Sequence, residues 1–158
     1  MANTQSMCTS FLGEVLTATH NFGTAPVRAT GAADTFKAAL FLTSATIDAA
    51  TTAYTTSGEV TGTGYTAGGV AVTNATAPLA SNSSATAGVG YWTPSASITY
   101  TTVTLTTAFD CVLIYNSTQS DKAVSVHTFG SQTITAGTFT LTMPANTTST
   151  ALLRLATT

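Results

Sequence analysis

Over Ser97–Thr107, and again over Thr138–Met143, threonine alternates with aliphatic or aromatic residues. A period of two puts every second side chain on one face of an extended strand, whereas on a helix the same residues would scatter around the axis. Threonine, valine, tyrosine and phenylalanine are also strand formers, because branched and ring side chains pack well on a pleated surface. Between the two stretches lies Phe109-Asp110-Cys111-Val112-Leu113-Ile114-Tyr115. It is apolar on both faces, as a strand covered on both sides must be. The chain is therefore expected to be mainly β.

The rest of the sequence fits around that centre. Phe36, Ala38, Leu40 and Leu42 share one face of a strand, and Val70–Thr73 reads as another. The β pattern resumes at Tyr91. Asn116–Asp121 reads as a turn, Lys122–Phe129 as a strand, and Gln132–Thr135 with Thr138–Met143 as a hairpin folded at Ala136-Gly137. Pro144 ends it, and Ala151–Leu155 is the last strand. Seven or eight strands with turns between them predict an antiparallel β-sandwich, jelly-roll-like, over residues 34–156. Residues 1–8 read as a flexible lead. Residues 9–19 read as one short helix, with Thr9 or Ser10 as cap, Glu14 near its start, and Phe11, Leu12, Val15 and Leu16 on one face. Residues 20–34, with Gly23, Pro26 and Gly31, read as a loop, as do residues 74–90; a short helical turn is expected near Ile47–Ala50. A length of 158 residues suits a single domain, 1–158.

Composition narrows the function classes. Charged residues make up 6% of the chain, with 4 Lys+Arg against 6 Asp+Glu; an ordinary domain carries roughly 25%. Four scattered cations cannot neutralise a run of phosphates or hold to an anionic bilayer, so neither nucleic acid nor membrane is an expected partner. Disorder is not expected either, since 44% of the residues are hydrophobic. The 38 threonines and 26 alanines must supply much of the surface. A surface so poor in charge repels its neighbours weakly, which suits a packed subunit better than a free monomer. The first eight residues lack a cationic region followed by an apolar run, and no apolar stretch nears the roughly 20 residues of a membrane span, so synthesis in a cytosol is expected.

No catalytic or metal site emerges from the residues. His20 and His127 are the two imidazoles, His127 mid-strand and His20 just after the helix; both read as structural. No Gly-x-Ser-x-Gly elbow, zinc spacing or acidic calcium loop is present. Asp110 is an acid inside a strand with no acidic partner in view, so a glycosidase pair is not expected. Cys111 reads as a small buried hydrophobe, and Cys8 as part of the loose lead. Gly62-Thr63-Gly64-Tyr65-Thr66-Ala67-Gly68 imitates a phosphate cradle, yet a strand follows it instead of a helix or a lysine, so a glycine-permitted turn is expected. The triplets at Asn74, Asn82, Asn116 and Asn146 follow from the abundance of threonine. Tyr91, Trp92 and Tyr100 would be the aromatics of a carbohydrate-binding face, or else a core cluster.

Several segments taken together resemble a small structural protein of tailed bacteriophages. They are Ser10-Phe11, Glu14-Val15-Leu16, His20-Asn21-Phe22, Asp34–Leu40, Val112–Asn116, Ala123–Gly130 and Gly137–Thr140, and above all Glu59-Val60-Thr61-Gly62-Thr63-Gly64-Tyr65-Thr66-Ala67-Gly68-Gly69. The resemblance implies a non-enzymatic virion component of the capsid decoration, or cement, type, located on the capsid surface, with the major capsid protein as partner. It supplies no catalytic residues, cofactor or metal. A homo-oligomer, with a trimer favoured by local three-folds, is the expected symmetry. Phe11 and Val15 are expected either to pack the helix on its own sheet or to meet a partner, and Tyr65 is a further expected contact. A tail, fibre or connector subunit and a carbohydrate-binding adhesion module are the alternatives.

Overall fold

The computed structural model of the protein describes residues 3–16, 19–22, 33–73, 78–81 and 88–156. In chain order they form β1 (Ser6–Met7), α1 (Thr9–Leu16), β2 (Phe36–Leu42), β3 (Val70–Val72), β4 (Leu79–Ser81), β5 (Val89–Trp92), β6 (Ile98–Asn116), β7 (Lys122–Leu141) and β8 (Leu153–Ala156). All strand pairings are antiparallel. One sheet has the order β1-β7-β6-β2-β3 and the other β4-β5-β8. The fold is mainly β and sandwich-like with one short helix, as the alternation predicts. Trp92 and Leu153 of the smaller sheet join the same buried cluster as β2, β6 and β7 of the larger.

The two-sided apolar run does lie centrally. Cys111, Val112, Leu113, Ile114 and Tyr115 are at most 2% exposed, with β7 on one side and β2 on the other. In β2, Ala39 and Phe41 are buried as well as Phe36, Ala38 and Leu40, so this strand too is covered on both faces.

Four expectations need correction. The lead is built into the sheet: β1 pairs with Ser125 and Val126 of β7, and Cys8 is fully buried. Its anchor is polar. Asn3 Nδ2 donates to Asp110 Oδ1 at 2.6 Å and to the Leu42 carbonyl at 3.1 Å, and its Oδ1 accepts from Ile47 N–H at 2.9 Å. An attachment made by one amide leaves no hydrophobic period to read. Among the described residues the helix spans Thr9–Leu16 and does not include Thr19, whose N–H reaches the Glu14 carbonyl at 2.9 Å. Its cap is not Ser10, whose hydroxyl is buried without a hydrogen-bond partner. The hairpin at Ala136-Gly137 does not exist. β7 runs on through it, with Gly137 opposite Val103 and Ile134 opposite Leu105, and Ala136 at φ 48° marks an irregularity in the strand. Finally, β4 and the start of β5 lie within the stretch read as a loop. The expectations for residues 1–2, 17–18, Gly23, Pro26, Gly31, Asn74 and Asn82 fall outside the described residues.

Candidate interaction surface

α1 docks through aromatic contacts. The Phe11 ring is 2% exposed, 4.9 Å from the His20 ring and 5.9 Å edge-on from Phe22. Phe22 stacks on Phe36 at 4.4 Å and lies 4.7 Å from Trp92, so one run of rings ties the helix to β2 and β5. His20 is fixed at both nitrogens. Asn116 Oδ1 accepts the N–H groups of Thr118 and Gln119, which turns its Nδ2 toward Asp34 Oδ2 (2.7 Å) and His20 Nδ1 (3.1 Å). Nδ1 is then the acceptor, and the proton sits on Nε2, donating to Glu14 Oε2 at 2.7 Å. Burial alone would raise the Glu14 carboxyl; hydrogen bonds from Lys122 and His20 outweigh it and hold the group below its ordinary value.

Beside these rings a groove of about 220 Å³ opens. Phe11, Val15 and Phe22 form one wall, and Leu79, Trp92 and Leu155 part of the other. The register of the smaller sheet explains it. Gly90 pairs with Leu155 and Trp92 with Leu153, so these four residues share one face. Trp92 and Leu153 are 2% and 6% exposed, whereas Leu155, one pair further along, is 40% exposed. The layer covering this face ends between those two pairs, and Gly90 brings no side chain to fill the space. Leu79 on the edge strand β4 is 47% exposed. Leu79 and Leu155 are the exposed large hydrophobic residues among those described, and both line this groove.

Two of the three expected contact residues, Phe11 and Val15, line the groove; Phe11 is buried by its own chain. Tyr65 lies elsewhere. Its hydroxyl donates to Glu59 Oε1 at 2.7 Å and accepts from Leu40 N–H at 3.0 Å. Glu59, 7% exposed, also takes Gly68 N–H on Oε1 at 2.8 Å and the Tyr54 hydroxyl on Oε2 at 2.6 Å. The glycine-rich segment that imitates a phosphate cradle thus aims a backbone donor at the chain's own carboxylate. Its glycines permit close approach to the sheet: a Cβ on Gly69, at φ 71°, would stand 1.7 Å from the Ala38 carbonyl oxygen. Sequence reasoning gave Glu59 no role. The available signal was a lone acid beside an uncharged run containing Tyr54 and Tyr65.

The other histidine is partly buried and both cysteines are fully buried. His127 shares a hydrogen bond with Ser125 Oγ at 2.9 Å, and burial lowers its pKa to about 4. Cys8 and Cys111 are free and buried; burial, first of all, raises their thiols to about 11 and about 12. Trp92 and Tyr100 are each 2% exposed and belong to the core, so of the three aromatics considered for a sugar face only Tyr91 is even partly open. Among the described residues no three His, Cys, Asp or Glu side chains are grouped to hold a metal ion. Among the same residues no helix is long and apolar enough to cross a membrane. Set against protein-family models, curated proteins and solved structures, the chain matches none.

Proposed function

We propose that this protein is a non-enzymatic subunit of a bacteriophage particle, a capsid decoration protein that binds and stabilises the assembled head. The observation that carries the reading is the clustering of Leu79 and Leu155 on one groove, in a chain whose charged content is 6%. Soluble monomers seldom gather exposed apolar side chains without a partner for them. The resemblance of the Glu59–Gly69 segment to phage structural proteins supports the choice of particle. The groove is the surface that meets the shell.

The test mixes purified protein with heads lacking it, sediments them, and heats decorated and bare populations. The protein should co-sediment and raise the rupture temperature with free concentration, as mass action requires. Capture should vary little between low and moderate salt, because screening acts on charges. Leu155→Asp should abolish capture. Failure to co-sediment at either salt, or equal rupture temperatures, would remove the decoration role and favour a tail or connector subunit.

A further inference from the structure

We propose that the outer edge of β7, centred on Thr133, pairs antiparallel with the same edge of a second copy of this chain. In the larger sheet β7 has β6 on its inner side and β1 on its outer side. β1 covers only Ser125 and Val126. Among the described residues no further backbone pairs with the outer side of β7 from Thr128 to Leu141.

Side-chain burial across the ribbon points to a missing neighbour. Residues directly opposite one another share a face. On β6, Ile98 and Tyr100 are each 2% exposed and Leu105 is fully buried. Their partners on β7 are Leu141, Phe139 and Ile134, and each is only partly buried. One step toward the edge, the same apolar face loses its cover. A further strand on that side would restore it for Ile134.

The chemistry of the edge selects the occupant. Natural edges are guarded by lysine, proline or inward charges. From Ala123 to Leu153 this chain has no Lys, Arg, Asp or Glu, and β7 has no proline. An uncharged edge suits an uncharged strand, and every molecule of this protein carries one. Gly130 at φ 79° and Ala136 at φ 48° bound an extended stretch, Ser131–Thr135. A two-fold axis at its centre sets Thr133 against its counterpart and Ser131 against Thr135, hydroxyl pairs that stabilise an antiparallel ladder. The irregularities at both ends confine the pairing to these residues. The contact is isologous, so it closes at two copies and does not grow into a fibre; a three-fold association would use another surface.

The pairing does not depend on the decoration role, and the two fail separately. The test is sedimentation velocity of the full chain over a wide concentration range, with hydrogen exchange at residues 131–135. Wild type should shift from monomer to dimer as concentration rises, and exchange at these amides should slow with it. Thr133→Lys, at an exposed position, should keep the circular dichroism of wild type and weaken the dimer at least about tenfold, because two ammonium groups would face each other. Thr140→Lys, outside the stretch, should leave dimerisation unchanged. A wild-type monomer at every concentration, a dimer indifferent to Thr133→Lys, or exchange independent of concentration would overturn the proposal. A monomer that still binds heads would remove the edge contact and leave the decoration role standing.

Discussion

The protein uses aromatic rings in opposite ways at the glycine-rich segment and at the groove. Around Glu59 the rings are tyrosines: Tyr54 stacks on Tyr115 at 4.7 Å and Tyr65 on Tyr100 at 5.9 Å. A buried phenol needs a partner for its hydroxyl. Two of these four reach the Glu59 carboxylate, while Tyr100 donates to the Ala38 carbonyl and Tyr115 to that of Gly68, both at 2.8 Å. Burial, before all other causes, pushes these phenols up, Tyr115 to about 12. Around the groove Phe11, Phe22, Phe36 and Trp92 pack ring against ring, and His20 beside them is held by the Glu14 carboxylate. Directional bonds close the first region onto itself. Contact area leaves the second open at its rim, where Leu79 and Leu155 are exposed. The difference teaches that directional bonds close one region onto the fold, while the other keeps an exposed apolar rim.

Removing the hub should therefore cost the most. Glu59→Ala strands the Tyr54 and Tyr65 hydroxyls and the Gly68 N–H. At about 1 kcal/mol or more for each stranded donor, denaturant unfolding should report a loss of at least about 3 kcal/mol. A loss below about 1 kcal/mol would show that water replaces the carboxylate, and the contrast between the two regions would collapse.

The sheet that carries the hub should also be sensitive to acid. The His127 imidazole is depressed to about 4, whereas an unfolded histidine titrates near 6.5. Between those values the unfolded chain binds a proton that the folded chain does not. Stability is then complete above about pH 6.5 and falls as the pH drops toward 4, by up to about 3 kcal/mol from this one group. Urea midpoints measured across that window should show the slope, and His127→Gln should flatten it. An equal slope in both proteins would place the acid sensitivity elsewhere.

Strands with their own side-chain period were legible in the sequence, and features fixed by a partner were not. β2 and β6 announce themselves by alternation or by a two-sided apolar run. β1 was missed because Asn3 and backbone pairing hold it. Ala136-Gly137 has the composition of a turn and of a strand irregularity alike, and only the partner residues Val103 and Leu105 decide between them. The helix wall of the candidate surface was readable, because Phe11 and Val15 lie four residues apart. The opposite wall was not. Leu79 stands among alanines and serines, and the exposure of Leu155 follows from where the covering layer ends.

Filling the groove is the gentlest perturbation, and it separates the two regions most sharply. Gly90 lies outside the left-handed region, and a Cβ added there would meet only the Leu155 carbonyl oxygen, at an ordinary 3.8 Å. Gly90→Val should therefore fit without strain, on a strand where a branched side chain is favoured. Stability should change by no more than about 0.5 kcal/mol, as for a surface site. The added methyl groups occupy the space between Leu155 and the helix wall, so binding to heads should drop although the fold is intact. A loss above about 2 kcal/mol would mean that the chain itself already fills the groove. Unchanged binding by a stable Gly90→Val protein would move the contact surface away from it.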